Sequence, residues 1–501
     1  MTSGVSRKVA NGAIWMVLFK LVERSLGLIS TLLLVRLLVP SDFGIVAMAV
    51  SVIAMVELIT AFGFDVALIR DQQASRDHYD TAWTAGVLLA LGVSFLLVVS
   101  APYIAAYYRE PAVESVLHVL ALVPLLTSLQ NVGVVAFRKE LEFRKEFTYQ
   151  VSRKVVQFAT TISLAFWLRS YWALVIGTLA AQSFTVALSY WVHPFRPRAR
   201  LRAWRSLFGF SKWLLFNNVV SYLKERSSDF VIGRVHGPAS LGLYNVAYEF
   251  ATLPTTELSA PINRALMPGF ARLTSDRAAL YAMYGATLSV LMIVAVPAAA
   301  GLFSLAPLIV PVVLGPKWVE AIPVLQILAF TGGLLMVHSS ICALLIGTGH
   351  AREVTLCNAL YVALLFGFLV LLAPRFGLPG AALASVFAGL ASTPVYLLVM
   401  RAKLGIPLRS FAASIWRPTI ASLTMMLALN MLFIESTGAE TGLADAGRLL
   451  AAVGSGATIY TAALLALWAA CGRPSAGERL ILARVGDEFR KRVGRASASG
   501  G

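Results

Sequence analysis

The stretch VRLLVPSDFGIVAMA, residues 35–49, recurs 198 residues later as GRVHGPASLGLYNVA, residues 233–247. The alignment needs no gap and places Pro40 on Pro238 and Gly44 on Gly242. Each copy lies between two apolar segments, so it marks a junction between two predicted helices. The repeat predicts a chain built from two related halves.

Composition predicts the environment of these halves. Hydrophobic residues make up 58% of the 501, charged residues only 13%, and the mean hydropathy is +0.76. This balance excludes an ordinary soluble globular domain and predicts an all-α polytopic membrane protein. With about 20 apolar residues needed per span, we expect about fourteen transmembrane helices, near 12–38, 43–65, 82–108, 113–136, 148–168, 171–193, 210–235, 240–265, 279–303, 318–345, 354–373, 379–400, 412–434 and 447–471.

The repeat then organises the spans. Because six predicted spans separate the two copies, both halves insert in the same orientation and form parallel repeats, which usually enclose a site between them. We therefore predict a six-helix bundle over 1–200, a second over 201–400, two additional helices over 401–471 and a basic cytoplasmic tail over 472–501.

The net charge of +17 is mostly an orientation signal. With the N-terminus placed in the cytoplasm, 27 of the 42 Lys and Arg residues fall in cytoplasmic segments and 7 fall on the opposite side. The 27 include Lys212, which lies at the start of the seventh span. This bias places both termini in the cytoplasm. It favours membrane-surface anchoring over nucleic-acid binding for the basic stretches PFRPRARLRAWR (194–205) and RKELEFRKEF (138–147). The three cysteines have no metal-ligand spacing, so no metal site is predicted.

Charged residues interrupt the first span at KLVERSLG, residues 20–27. Each charge at the centre of a lipid-facing helix costs about 2.5–3.5 kcal/mol. At about 100° per residue, Lys20 and Arg24 share a narrow arc with Glu23 at its margin, so we expect this polar stripe to face something other than lipid. The repeat partner, the seventh span, carries a comparable set: Asn217, Asn218, Tyr222, Lys224, Glu225, Arg226 and Asp229.

Two interpretations of these charges stay open. Glu23, Glu225 and Asp229 could form internal ion pairs with neighbouring cations. The cations outnumber the carboxylates, and Arg153 and Lys154 add two more cations at the start of the fifth span. The second interpretation is that this surplus of cations binds an anionic substrate. Arg226 lies toward the opposite side of its helix, so for this residue the alternative to substrate binding is a structural or snorkelling role.

Several motifs resemble the polysaccharide-transporter branch of the multidrug/oligosaccharidyl-lipid/polysaccharide flippase superfamily. They are LLVPSDFGIVAMA after the first span, IGRVHGPASLGLYNVAYE (232–249), LEFRKEF (141–147), PINRALMPGFARL (261–273) and LGPKWVEAIPVLQILA (314–329). The resemblance implies a V-shaped pair of six-helix bundles with two appended helices. It also implies movement of a lipid-linked oligosaccharide across the bacterial inner membrane.

On this basis we expect a non-enzymatic flippase for an undecaprenyl-diphosphate-linked repeat unit of an exopolysaccharide or O-antigen, acting by alternating access. The cations would neutralise the diphosphate, and the intramembrane carboxylates Glu57, Glu249 and Glu257 are candidates for coupling. We expect a monomer without a cofactor, surrounded by membrane lipids, which works with the polymerase and chain-length proteins of the same pathway. The alternatives are a peptidoglycan-precursor flippase, a cation-coupled multidrug exporter and a membrane polysaccharide polymerase or ligase.

Overall fold

A computed structural model describes residues 2–58, 64–71, 73–204, 212–434, 443–473 and 477–478. All regular secondary structure in these ranges is helical. The α-helices are α1 (Thr2–Leu37), α2 (Pro40–Glu57), α3 (Phe64–Arg70), α4 (Arg76–Tyr108), α5 (Ala112–Leu120), α6 (Leu122–Ser128), α7 (Val135–Lys139), α8 (Phe143–Leu168), α9 (Trp172–Val192), α10 (Lys212–Arg272), α11 (Arg277–Ile309), α12 (Ile322–Gly347), α13 (Ala351–Leu404), α14 (Leu408–Leu429) and α15 (Leu443–Ala470).

Within the described ranges, seven helical segments are long and apolar enough to cross a membrane: Pro40–Glu57, Arg76–Tyr108, Trp172–Val192, Arg277–Leu314, Pro316–Gly347, Ala351–Leu404 and Asp445–Ala470. The bent pair Ala112–Ser128 and Val132–Lys139 would make an eighth. These lengths fit a multi-pass membrane protein. The arrangement of fourteen spans stays a prediction.

Two of the long helices are each two helices joined at a glycine. Gly237 in α10 (φ 77°) and Gly377 in α13 (φ 64°) have non-helical backbone angles with positive φ. Glycine adopts such angles readily because it has no Cβ, whereas other residues rarely do. Each kink falls between two predicted spans.

The span predicted near 113–136 is not one regular helix. The segment divides into α5, α6, a short 3₁₀ turn and α7, with a bend of 60°. Asn131 causes the break locally: its backbone is extended, and its side-chain oxygen accepts a hydrogen bond from the Gly133 amide at 2.9 Å. An asparagine side chain can compete in this way with the helical backbone pattern.

The chain packs as two compact units, Met1–Gly242 and Leu243–Gly501. In the first unit, Leu34 of α1 and Leu38, which directly follows that helix, pack with Ala165 of α8 and Ala173 of α9 in one of the hydrophobic clusters. In the second unit, the largest side chains of the core include Tyr284, which is 1% exposed. The predicted division into bundles over 1–200 and 201–400 rests on the internal repeat and stays a prediction.

The beginning of α2 is fixed by a buried carboxylate. Pro40 occupies the first helical turn, where its missing N–H leaves no hydrogen bond unmade. The Asp42 side chain accepts a hydrogen bond from the Val39 amide at 3.0 Å and another from the Tyr171 amide at 3.0 Å. Asp42 therefore caps α2 and ties it to the turn that precedes α9.

The two repeated junctions, Pro40 to Gly44 and Pro238 to Gly242, pack against each other in the first unit. A Cβ on Gly44 would lie 1.8 Å from the carbonyl oxygen of Pro238. A Cβ on Gly242 would lie 1.8 Å from the carbonyl oxygen of Pro40. The contact is thus reciprocal, glycine of one copy on proline of the other, and only glycine fits at both places.

The basic stretch after α9 is held by protein contacts. The Asp80 carboxylate accepts a hydrogen bond from the backbone amide of Arg198 at 2.9 Å, and the Thr84 hydroxyl accepts one from the backbone amide of Arg200 at 3.0 Å. Near its start, the Asn131 side chain donates to the carbonyl of His193 at 3.1 Å. Burial lowers the pKa of His193, so its ring favours the neutral form. This stretch therefore packs on α4, a contact that the sequence did not predict. Its role as a membrane-surface anchor stays a prediction.

Candidate functional site

The charged stripe of α1 meets a cation from α8. Lys20 Nζ lies 2.7 Å from one oxygen of Glu23, and Lys154 Nζ lies 3.4 Å from the other. One carboxylate is thus shared by two ammonium groups. The internal-pairing interpretation describes part of this geometry, but the three groups together still carry one net positive charge.

These groups lie at the protein's surface as well as against each other. The side chains of Lys20, Glu23 and Lys154 are 57%, 26% and 32% exposed. Partly exposed ion pairs of this kind usually contribute at most about 1 kcal/mol each to stability. The cluster therefore contributes little to holding α1 against α8, and its side chains are accessible from outside the protein.

A cavity of 450 Å³ opens beside this cluster, between α1 and α8. The lining residues of each helix are spaced so that they lie on one face, because positions three, four and seven apart share a face of a helix. Its lining combines charged, amide and apolar side chains, many of them aromatic: Trp15, Met16, Phe19, Lys20, Glu23, Arg138, Phe143, Glu146, Phe147 and Gln150.

A second ion pair, between Arg138 and Glu146, also lines the cavity. Glu146 accepts hydrogen bonds from Arg138 Nε at 3.0 Å and from the Gln150 amide at 3.0 Å. The side chain of Glu146 is only 9% exposed, so its orientation is fixed by these two donors. A carboxylate has about four acceptor positions, which leaves capacity for hydroxyl donors from a ligand.

Aromatic side chains make up much of the remaining wall. The rings of Trp15 and Phe147 lie 5.0 Å apart and tilted at 55°. Gly12 lies against the ring of Phe143, since a Cβ there would be 2.2 Å from Cδ2. The start of α1 therefore approaches α8 closely enough for both helices to share one cavity.

The structure brings only part of the predicted site together here. Lys20, Glu23 and Lys154 meet at the cavity, and Arg24 and Arg153 are half-buried next to them in the chain.

The seventh span makes other contacts. Arg226 Nη1 lies 3.2 Å from the buried Asp229 carboxylate. The Tyr222 hydroxyl donates to the backbone carbonyl of Ser51 at 2.7 Å. Asn218 and Lys224 are half-buried and Glu225 is exposed, while the side chain of Asn217 lies outside the described residues. A substrate-binding role for these residues stays a prediction.

The candidate coupling carboxylates belong to other helices than the cluster. Glu57, at the end of α2, lines a different cavity of 510 Å³ together with Trp83 and Gln130. Glu249 is half-buried and Glu257 exposed, both in the second unit. Their coupling role also stays a prediction.

Sequence reasoning missed Arg138, Glu146, Gln150 and the aromatic walls. A signal was present, since Phe143, Phe147, Gln150 and Lys154 follow one face of a helix at spacings of four, three and four. Sequence reasoning interprets residues 138–147 as a basic loop because they contain many charged residues, although α8 already begins within them at Phe143.

The structure defines a class of protein: an all-helical, multi-pass membrane fold with charged residues inside an apolar helix. The family model described as polysaccharide biosynthesis protein matches residues 33–323, and the chain belongs to that family. The resemblance drawn from the sequence motifs is therefore confirmed.

Curated relatives match over most of their length. The lipopolysaccharide biosynthesis protein WzxC of Escherichia coli (strain K12) is 26% identical over 436 residues, which cover 86% of this chain and 89% of WzxC. The succinoglycan biosynthesis transport protein ExoT of Rhizobium meliloti (strain 1021) is 26% identical over 512 residues, covering 100% of this chain and 99% of ExoT.

Solved structures share the fold. The lipid II flippase MurJ in an inward closed conformation has a TM-score of 0.72 at 14% identity, covering 91% of this chain and 100% of MurJ. An inward-facing multidrug resistance MATE family transporter of the MOP superfamily has a TM-score of 0.57 at 16% identity, covering 76% of this chain and 94% of that transporter.

Proposed function

We propose that this chain is a flippase that moves an undecaprenyl-diphosphate-linked oligosaccharide across the bacterial inner membrane. The oligosaccharide would be a repeat unit of an exopolysaccharide or O-antigen. The names of WzxC and ExoT, which refer to lipopolysaccharide biosynthesis and succinoglycan transport, support this choice of substrate class.

The observation that carries the proposal is the surplus positive charge at α1 and α8. Glu23 needs one cation to neutralise it, yet both Lys20 and Lys154 contact it. A diphosphate brings about two negative charges and strong acceptor oxygens, which ammonium and guanidinium groups bind with charge-assisted hydrogen bonds. An uncharged drug-like substrate would gain little from this surplus.

The substrate would be held in parts that suit its chemistry. Arg24 would bind the diphosphate with its planar fork, Lys20, Lys154 and Lys224 would add charge, and the prenyl chain would stay in lipid. Alternating access would then expose the same site first to the cytoplasm and afterwards to the opposite side. We propose that both termini are cytoplasmic and that Glu57 and Glu249 are the candidates for coupling.

The test is deletion of the gene followed by mass analysis of the lipid-linked sugars in the membrane. We expect an oligosaccharide on undecaprenyl diphosphate to accumulate on the cytoplasmic leaflet and the exported polymer to disappear. Complementation should succeed with the wild-type chain and fail with Arg24→Ala.

Other outcomes would contradict the proposal in recognisable ways. Accumulation of the peptidoglycan precursor would indicate the alternative flippase. Single repeat units on the outer leaflet would indicate a polymerase or ligase. Normal polymer output with altered drug resistance would indicate a multidrug exporter.

A further inference from the structure

The cavity between α1 and α8 is balanced in charge, unlike the cluster beside it. Its lining contains two cations, Lys20 and Arg138, and two carboxylates, Glu23 and Glu146. Each cation is already within 3.0 Å of a carboxylate, Lys20 at 2.7 Å and Arg138 at 3.0 Å. Lys154, which supplies the surplus charge at Glu23, is not part of this lining, so an anion inside the cavity would meet only cations that already pair with a carboxylate.

A neutral polyhydroxylated group fits these walls better. The carboxylate of Glu146 and the amide of Gln150 are held in fixed orientations and offer acceptors and donors to hydroxyl groups. Trp15, Phe143 and Phe147 also line the cavity, and the negative face of an aromatic ring attracts the C–H groups of a pyranose. The volume of 450 Å³ is within the range of small-molecule sites.

We propose that this cavity binds a sugar of the lipid-linked oligosaccharide, while the cations Arg24 and Lys154 bind the diphosphate next to it. The inference rests on the proposed function, since it assigns the sugar part of the same substrate. Gln150 and Phe147 would be the residues that distinguish a sugar-bearing lipid from a bare one.

The experiment compares two ligands on purified protein in lipid nanodiscs. One ligand is the lipid-linked oligosaccharide extracted from the deletion strain, and the other is undecaprenyl diphosphate without sugar. Gln150→Leu removes the amide at similar size, Phe147→Leu removes the aromatic face, and Thr148→Ala is the matched control because Thr148 is exposed on the same helix. Thermal unfolding of each variant verifies that it is folded.

We expect Gln150→Leu and Phe147→Leu each to raise the Kd of the sugar-bearing lipid at least tenfold, which corresponds to about 1.4 kcal/mol. The Kd of undecaprenyl diphosphate should change less than twofold, and Thr148→Ala should change neither. Arg24→Ala should weaken both ligands.

The inference would be overturned if both substitutions weakened the two ligands equally, because the cavity would then hold the diphosphate. It would also be overturned if neither substitution changed the Kd of the sugar-bearing lipid. Failure of the wild-type protein to bind either ligand would instead contradict the proposed function itself.

Discussion

At the scale of single residues, Arg24 is the strongest test of substrate binding. Arg24→Ala should abolish polymer export while the protein is still inserted at its normal level, because the loss is a ligand contact. Arg24→Lys should retain partial export, since Lys keeps the charge but loses the bidentate fork. Polymer output and protein amount are measured together. Rescue of Arg24→Ala by Glu23→Gln would show that Arg24 only paired with Glu23.

Glu23 makes a separate prediction about stability. Glu23→Gln leaves Lys20 and Lys154 near each other without the carboxylate between them, so the free energy of unfolding should fall by roughly 1 kcal/mol. Adding Lys154→Gln removes the repulsion and should restore most of that loss. Melting of the detergent-solubilised protein, followed by tryptophan fluorescence, measures both effects. An unchanged melting temperature for Glu23→Gln would show that the two pairs make no net contribution to stability, whereas a loss far above 1 kcal/mol would contradict their partial exposure.

At the scale of helices, the reciprocal contact between Gly44 and Gly242 should tolerate no added carbon. Gly44→Ala or Gly242→Ala would place a Cβ 1.8 Å from a carbonyl oxygen, and the helices would have to separate at a cost of about 1–3 kcal/mol or more. The double variant should lose less than the two single losses combined, because the first substitution already opens the contact.

Gly92→Ala in α4 is the matched control for these variants. A Cβ there meets no atom within 4 Å, and alanine restricts the unfolded chain more than glycine does. We expect its melting temperature to stay the same or rise. If Gly44→Ala and Gly242→Ala melted as Gly92→Ala does, the reciprocal contact would not be needed by the fold.

At the scale of the whole molecule, the Lys/Arg bias predicts the orientation in the membrane. In a background without the native cysteines, Arg198→Cys should be shielded from an impermeant thiol reagent in intact cells and react after permeabilisation. Glu110→Cys, in the turn between α4 and α5, should react in intact cells. The opposite labelling pattern would reverse the topology and move the α1–α8 cavity to the other side of the membrane.

Local patterns in the sequence were enough to identify the class, the family and the repeated junctions. A membrane span is recognised from the hydropathy of about 20 consecutive residues, so the membrane environment can be predicted without knowledge of any tertiary contact. The charges Lys20, Glu23 and Arg24 stand out for the same reason, because lipid makes them costly wherever the helix packs. The Pro-x-x-x-Gly spacing predicted two equivalent junctions, although nothing in it predicted that they would contact each other.

The tertiary structure alone decided which distant residues meet. Lys154 contacts Glu23, and Glu146 and Gln150 face the aromatic residues of α1, because α1 and α8 pack together although they lie far apart in the sequence. The break at Asn131 was equally beyond sequence reasoning, since its side chain also donates to the carbonyls of His193 and Phe195 in a segment that follows α9. The physical reason is that hydropathy and helical periodicity record only the environment of each segment, whereas a binding cavity depends on contacts between segments.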